Sequence, residues 1–265
     1  MADFTTVTET PNIRVTREAL AMAYTRYAFA AQFSKGKRVL EVACGVGQGL
    51  GYIARVARSV VGGDVSPGLL RAASRHYQGR VPLALFDAQS LPFRAGAFDV
   101  VILYEAIYYL PAPRSFVAEA CRVLSAGGVL LISTVNPQWR DFNPSPMSTR
   151  YFGAPELRRL LEEHGLRASL YAAFPAAENS PRRRIVSGLK RAAVALDLVP
   201  RTMKGKQLLK RLFFGPLVAA PTEISEGMAP HLEPVPISDE TTAGRSKVLF
   251  ARGVKREDGG PWSST

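Results

Sequence analysis

Short apolar runs alternate with amphipathic stretches between residues 38 and 135. The apolar runs predict strands, and the stretches with apolar residues at every third or fourth position predict helices. Strands and helices in alternation are typical of a parallel sheet covered by helices. The predicted strands are Val39–Val42, Ser59–Gly62, Val81–Phe86, Phe98–Leu103 and Val129–Val135, and the predicted helices are a segment ending near Arg58, Pro67–Tyr77 and Pro113–Leu124.

The pattern on either side of this core predicts a leading helix at Thr16–Phe33 and, later, a helix at Ala154–His164 and strands at Ser169–Phe174 and Lys247–Val254. Helical spacing of leucines between the last two strands predicts an inserted pair of helices. We therefore expect a Rossmann-like, seven-stranded, mostly parallel sheet with helices on both faces and a helical insertion before the last strand. The expected divisions are an N-terminal helical segment (1–37), a core (38–174), the insertion (175–245), and the last strand with a tail (246–265).

Composition narrows the class of protein. Hydrophobic residues make up 47% of the 265 and charged residues 21%, which is typical of a globular chain. The two cysteines, Cys44 and Cys121, exclude a disulfide scaffold and favour a reducing compartment. The first residues do not resemble a secretory signal, and the apolar runs are far shorter than the ~20 residues that span a bilayer. We expect a cytoplasmic protein.

A glycine-rich turn after the first predicted strand carries the main chemical signal. Gly45, Gly47 and Gly49 let the backbone approach a ligand, and the helix that follows presents unpaired N–H groups to an anion. The dinucleotide pattern G-x-G-x-x-G fails here, because Leu50 stands at its last position. Glu41 beside the turn would repel a pyrophosphate and attract an ammonium group. An amino-acid moiety satisfies both the carboxylate and the helix end.

Two further acids lie at the ends of successive strands. Asp64 is placed to accept hydrogen bonds from ribose hydroxyls, as acids at this position do in nucleotide folds. Asp87, which Ala88 follows, can accept from an adenine amine. Amino acid, ribose and adenine together describe S-adenosyl-L-methionine.

The core resembles a class I S-adenosylmethionine-dependent methyltransferase of the methyltransferase type 11 group. The resembling stretches, in order, are LEVACGVGQG (Leu40–Gly49), VVGGDVS (Val60–Ser66), FDAQSLPF (Phe86–Phe93), FDVVILYEAIYYL (Phe98–Leu110) and RVLSAGGVLLIST (Arg122–Thr134). The resemblance implies S-adenosyl-L-methionine as cofactor and S-adenosyl-L-homocysteine as product. It assigns Glu41, Gly45 and Gly47 to the methionine end, Asp64 with Val65 to the ribose, Asp87 and Ala88 to the adenine, and Tyr104 to a position near the ligand.

Tyr27 on the leading helix is a further candidate for contact with the cofactor, although aromatic residues at helical spacing are more often core. The methyl acceptor is expected beyond the strand ends, near the loops after the fourth and fifth strands. Many relatives have a histidine in the first of these loops, but residues 105–110 contain none. The catalytic candidates are Tyr108, Tyr109 and His231, and no ligand spacing indicates a metal.

These observations predict methyl transfer to a small molecule, with O-methylation of a metabolite or glycan hydroxyl as the narrower hypothesis. N-methylation of a small-molecule amine is an alternative. Another is a non-catalytic cofactor-binding module whose basic segment contacts nucleic acid or a membrane. Nucleic acid is disfavoured, because no Asn-Pro-Pro-Tyr or Asp-Pro-Pro-Tyr signature of base methylation follows the fourth strand.

The positive charge of the chain is concentrated in the predicted insertion. The net charge is +12, and residues 181–217 contribute +9 of it. We expect the insertion to form a lid over the acceptor site. If its basic face points inward, the acceptor is an anionic metabolite, because clustered cations focus the field in a cleft. If it points outward, the partner is a membrane surface with anionic lipid.

Overall fold

The computed structural model describes residues 11, 13–176, 217–238 and 244–257. The helices predicted around Leu189–Leu196 and Leu208–Phe213, and the basic residues at 182–211, lie outside the described residues. The prediction of a basic helical lid therefore remains a prediction.

Ten strands and five helices are formed by the described residues. The strands are β1 (Arg14–Val15), β2 (Arg38–Val42), β3 (Ser59–Asp64), β4 (Leu83–Leu85), β5 (Phe98–Tyr104), β6 (Leu124–Val135), β7 (Arg167–Pro175), β8 (Val218–Ala219), β9 (Val235–Pro236) and β10 (Ser246–Val254). The helices are α1 (Arg17–Ser34), α2 (Leu50–Ala54), α3 (Pro67–Tyr77), α4 (Pro113–Val123) and α5 (Ala154–Glu162), and one turn of 3₁₀ helix covers Ile107–Tyr109.

The main sheet has the strand order β4-β3-β2-β5-β6-β10-β7-β9. The first five strands in this order are parallel, whereas β10 runs antiparallel between β6 and β7. The Rossmann-like, mostly parallel sheet is thereby confirmed. The eighth strand, β9, was not predicted, because its two residues follow a proline-rich stretch that has no strand pattern.

Two apolar cores cover the faces of the sheet. One lies under α4 and α5 and includes Phe116 and Leu161, and the other lies under α1, α2 and α3 and includes Phe29 and Tyr77. Central strands are buried on both faces, which is why β5 reads as a nearly continuous apolar run. Its exception is Asp99, whose carboxylate accepts two hydrogen bonds from the Arg38 guanidinium at the start of β2.

Several element boundaries differ from the sequence prediction, and two of these differences have a clear physical reason. Helix α2 ends at Ala54 rather than near Arg58, because residues 55–58 form turns and bends that return the chain to β3. Strand β6 begins at Leu124 rather than at Val129, since Gly127 is accommodated within it with a φ of 69°.

Residues 220–238, which we call the strap, run through turns and bends across the helices of one face. The backbone N–H of Ile224 donates to the carbonyl of Gln48, and that of Ile237 donates to Leu170. Between these points the Glu226 carboxylate accepts hydrogen bonds from the hydroxyls of Tyr24 and Tyr52. The strap belongs to the predicted insertion, but its described residues form no helix.

Candidate active site

A cavity of about 600 Å³ opens where β2, β3, β4 and β5 end. Carboxyl ends of parallel strands are the usual ligand site of such a sheet. The residues that line it are Ala23, Arg26, Tyr27, Glu41, Ala43, Cys44, Gly45, Val46, Gln48, Asp64, Val65, Leu69, Phe86, Asp87, Ala88, Gln89, Tyr104, Glu105, Ala106, Tyr108, Tyr109, Leu110, Pro111, Met147 and Thr149. All predicted cofactor-binding residues except Gly47 are among them.

The glycine-rich turn is held open by left-handed backbone. Gly45 and Gly47 have φ values of 58° and 79°, which favour glycine. Gly45 faces the cavity. Gly47 packs instead against Tyr77, whose hydroxyl donates to the Gly47 carbonyl at 2.6 Å. In this structure Gly47 shapes the turn, and its contact with a cofactor stays a prediction.

Glu41 is a buried carboxylate with one oxygen lacking a hydrogen-bond partner. Its Oε1 accepts a bond of 2.6 Å from the Tyr27 hydroxyl, while Oε2 is buried and has no hydrogen-bond partner. Burial raises the pKa of Glu41 to about 7. A ligand ammonium group would supply the missing partner and favour the ionised form.

Asp64 and Asp87 both reach the cavity but are held differently. Asp64 is buried, and its two oxygens accept from the backbone N–H groups of Gly45 and Ser66, each at 2.8 Å. It therefore fixes the glycine-rich turn and keeps lone pairs for a ligand hydroxyl. Asp87 is exposed and accepts from the backbone and side chain of Gln89. Val65 and Ala88 line the cavity beside them.

Three tyrosines line the wall formed by β5 and the turn after it. The hydroxyl of Tyr104 is buried without a hydrogen-bond partner, and its ring packs edge-on against Tyr27. Burial raises the pKa of Tyr104, Tyr108 and Tyr109. Their phenols are therefore protonated near neutral pH, so Tyr108 and Tyr109 can donate hydrogen bonds there but are poor bases.

An ion pair that the sequence did not reveal stands beside these tyrosines. Arg26 of α1 lies 3.1 Å from Glu105, which follows β5 directly. Glu105 also accepts a bond of 3.0 Å from the Tyr108 hydroxyl. The position of Glu105 directly after a strand makes it a candidate for the acceptor site from sequence alone. The same reasoning applies to Asn136, Trp139 and Asp141, which follow β6 but do not line the cavity. Arg26 was missed, because nothing in a helical pattern shows which distant strand end its side chain meets.

His231 does not lie at the cavity. Its ring packs near Tyr24 at 6.2 Å, and Nε2 lies 3.6 Å from Glu233. His231 belongs to the part of the strap that crosses α1, so this catalytic candidate lies away from the residues that line the cavity. Among the described residues no group of three metal-ligating side chains occurs, and none of their helices is long and apolar enough to cross a membrane.

Comparison with known proteins identifies the domain around this cavity. Residues 40–132 match the family model described as "Methyltransferase domain". A probable S-adenosylmethionine-dependent methyltransferase of Mycolicibacterium smegmatis is 37% identical over 143 residues, which are 52% of this chain and 55% of that protein. Residues 40–132 therefore form a class I S-adenosylmethionine-dependent methyltransferase domain.

Other similarities to the methyltransferase domain agree with this. A fatty-acid O-methyltransferase of the same organism is 38% identical over 108 residues, which are 40% of this chain and 39% of that protein. The solved structure of the YcgJ protein from Bacillus subtilis superposes with a TM-score of 0.55 at 17% identity, over 91% of this chain and 99% of that one, which shows the fold alone. The chain spans about half the length of the curated relatives it matches.

The residues of the methyltransferase domain fit the cofactor of its family. S-Adenosyl-L-methionine carries a positively charged sulfur and an ammonium group. The buried Glu41 oxygen without a partner suits the ammonium, and the Asp64 carboxylate beside the turn suits the ribose. The cavity is lined by the three acids Glu41, Asp64 and Asp87 at this part. Arg26 is the one cationic side chain among the described lining residues, and it pairs with Glu105.

Proposed function

We propose that the protein transfers a methyl group from S-adenosyl-L-methionine to a hydroxyl group of a small, partly apolar molecule. The observation that carries this proposal is one continuous cavity with two chemically different ends. One end holds the three strand-end acids, and the other holds the Arg26–Glu105 pair within an apolar wall. When bound, the cofactor supplies a methyl group on a sulfur that leaves as a neutral thioether.

The charge at the acceptor end favours a neutral group. Arg26 and Glu105 compensate each other, so the pair presents little net charge to an ionised acceptor. A hydroxyl can both donate to the carboxylate and accept from the guanidinium. This disfavours the anionic acceptor that an inward-facing basic lid would require.

The walls around the ion pair favour an apolar body on the acceptor. Ala106 follows Glu105 directly, and Leu110, Pro111 and Met147 line the same cavity. A mostly apolar pocket with a few convergent polar groups is typical of small-molecule sites. The name of the fatty-acid O-methyltransferase relative supports an oxygen acceptor on an apolar chain, although the acceptor in that name is an acid and not an alcohol.

Four probes with the same octyl tail test the acceptor group: octanol, octyl glucoside, octanoate and octylamine. Each is incubated with the protein and S-adenosyl-L-methionine carrying a deuterated methyl, and mass spectrometry follows the label. We expect methyl ethers from octanol or octyl glucoside at rates at least about tenfold above octanoate and octylamine, since like charge beside a partly buried ion costs more than 1.4 kcal/mol. Label found only in octylamine would support the N-methylation alternative. Label found only in octanoate would indicate a carboxylic acid as the acceptor.

Cofactor binding is measured separately by calorimetry with S-adenosyl-L-homocysteine. Binding without label in any probe would favour a non-catalytic module or an acceptor of another shape. Absence of binding would contradict the proposal at its first step.

A further inference from the structure

We propose that Glu105 takes the proton of the acceptor hydroxyl, and that Arg26 and Tyr108 are positioning residues that hold its carboxylate. This inference deepens the proposed function and rests on it. In the balanced step, the acceptor oxygen forms a bond to the methyl carbon as the carbon–sulfur bond breaks. That bond's electron pair stays on sulfur, and the hydroxyl proton passes to Glu105 and then to water.

Glu105 is the only acid among the described cavity-lining residues that the predicted cofactor contacts do not use. The cavity is lined by four acids, and Glu41, Asp64 and Asp87 stand at the strand ends assigned to the ammonium, ribose and adenine. Glu105 lies instead next to Tyr108 and Tyr109, on the wall that continues to Met147 and Thr149. Its side chain is 25% exposed, and its Oε1 is buried without a hydrogen-bond partner, which an acceptor hydroxyl in the cavity would supply.

Two contacts aim the Glu105 carboxylate without saturating it. One oxygen lies 3.1 Å from an Arg26 nitrogen, and the other accepts the Tyr108 hydroxyl at 3.0 Å. A carboxylate has about four lone-pair sites, so roughly two remain for an acceptor. Tyr108 is itself fixed, because its ring stacks on Tyr151 at 4.7 Å and its carbonyl accepts from Thr149.

The backbone at Glu105 is held in an unfavourable conformation. Its φ is 52°, in the left-handed region that non-glycine residues rarely adopt. The N–H of Glu105 donates to the carbonyl of Ser133 at 2.9 Å, which ties this conformation to the end of β6. Left-handed non-glycine residues cluster at functional sites, where the surrounding structure maintains them. Glycine would adopt this backbone conformation without strain, but the position is occupied by Glu105, whose side chain lines the cavity.

The titratable and charged groups around Glu105 come from four elements. Arg26 belongs to α1, Tyr108 and Tyr109 belong to the turn after β5, and Tyr104 and Glu41 share the same cavity. The tyrosines are protonated near neutral pH, because burial raises their pKa. Glu105 is therefore the group at this end that can accept a proton.

The test compares Glu105→Gln with Glu163→Gln. Glu163 also pairs with an arginine, Arg114, at 2.7 Å, but lies on the surface between α4 and α5. Turnover of the preferred octyl hydroxyl probe should fall about 100-fold or more in Glu105→Gln, which is the usual contribution of a general base. Glu163→Gln should keep wild-type turnover. Both variants should bind S-adenosyl-L-homocysteine within about threefold of wild type, because Glu105 is not at the cofactor end.

A change in the acidity of the acceptor hydroxyl distinguishes a role of Glu105 in proton transfer from a purely structural role. Difluoro-octanol, with both fluorines on the carbon beside the carbinol, keeps the shape of octanol and has a more acidic hydroxyl. The Glu105→Gln loss should be at least about tenfold smaller with this probe, since a more acidic acceptor needs less help from a base.

Binding of octanol to the protein loaded with S-adenosyl-L-homocysteine provides a readout independent of turnover. Glu105→Ala should weaken it about tenfold, as expected for loss of a hydrogen bond to a charged group. Arg26→Lys should retain more turnover than Arg26→Met, because the lysine keeps a charge beside Glu105.

Turnover in Glu105→Gln within about threefold of wild type, or an equal loss with octanol and difluoro-octanol, would overturn the inference while leaving the proposed function intact. If wild type labels no hydroxyl probe, the proposed function fails instead. Unchanged octanol binding in Glu105→Ala would then also overturn the role of Glu105.

Discussion

The hydroxyl of Tyr27 donates a hydrogen bond of 2.6 Å to Oε1 of Glu41 and joins helix α1 to the end of strand β2. Burial raises the pKa of Glu41 to about 7, while the Tyr27 bond acts in the opposite direction. The carboxyl group therefore changes its protonation close to neutral pH in the protein without ligand. Since an ammonium group pairs with the ionised carboxylate, cofactor binding is coupled to this protonation.

We predict that affinity for S-adenosyl-L-homocysteine rises about tenfold between pH 6 and pH 8, because a carboxyl with a pKa of about 7 loses its proton over this range. Calorimetry at several pH values measures the change. Glu41→Gln should bind weakly and without this pH dependence. The control Glu119→Gln alters a carboxylate held by Arg122 outside the cavity, and should keep the wild-type pH dependence. A flat wild-type profile would contradict the assignment.

The same group should influence stability with a defined sign. Its pKa is about 7 in the folded protein and 4.5 ordinarily, so the folded state binds more protons between these values. The contribution of Glu41 is fully present below pH 4.5 and is lost as pH rises through 7. Relative to Glu41→Gln, wild type should lose about 3 kcal/mol of unfolding free energy between pH 4.5 and pH 8, as urea titrations would measure. A difference that stays constant with pH would refute this.

Asp64 and Asp87 should respond differently to removal of the carboxylate. Asp64→Ala leaves the N–H groups of Gly45 and Ser66 unpaired, which should cost about 1–3 kcal/mol of stability in addition to cofactor affinity. Asp87→Ala removes an exposed side chain bonded only to Gln89 among the described hydrogen bonds, so stability should change by less than about 0.5 kcal/mol. Its cofactor affinity should still fall by about 1–3 kcal/mol.

Urea titration and calorimetry on the two variants check this pair of predictions. If Asp64→Ala retains full stability, the turn does not depend on that carboxylate. If Asp87→Ala binds S-adenosyl-L-homocysteine normally, the adenine assignment is wrong.

The individual strands and the cofactor end of the cavity could be predicted because their signals are local. Apolar runs define strands one at a time, and acids at strand ends meet at one edge of a parallel sheet, as Asp64 and Asp87 do. The Arg26–Glu105 pair could not be predicted, since it depends on how α1 lies against the sheet. The path of the strap is hidden for the same reason, because its anchors, such as Glu226 with Tyr24 and Tyr52, are contacts between distant segments.

Gly49 is predicted to be required for the packing of α1 against the glycine-rich turn. A Cβ at Gly49 would lie 1.8 Å from the Tyr27 ring, so alanine must displace the side chain that bonds to Glu41. We expect Gly49→Ala to cost about 1–3 kcal/mol of stability and to weaken cofactor binding. In the control, Gly153→Ala, the nearest atom lies at 3.6 Å, and both quantities should stay near wild type. Wild-type behaviour of Gly49→Ala would show that Tyr27 does not pack there.

Ile224 should anchor the strap to the glycine-rich turn. Its side chain is 1% exposed, its N–H donates to the Gln48 carbonyl, and Gln48 Nε2 donates to Pro221 at 2.7 Å. Because Gln48 also lines the cavity, loosening of the strap should reach the cofactor site. Ile224→Ala should destabilise the protein by about 2–5 kcal/mol and Ile224→Val by about 0.5–1.5 kcal/mol.

The matched control for Ile224 is Val235→Ala in the same strap, where the side chain is 59% exposed and a change below about 0.5 kcal/mol is expected. Urea titrations rank the three variants, and calorimetry with S-adenosyl-L-homocysteine measures the effect on binding. Equal stability of Ile224→Ala and Val235→Ala would show that the strap is not packed on α2. Ile224→Ala could lose the expected stability and still bind S-adenosyl-L-homocysteine normally at a temperature where it remains folded. That result would show that the glycine-rich turn keeps its shape without the Ile224 anchor, and that the strap does not affect the cofactor site.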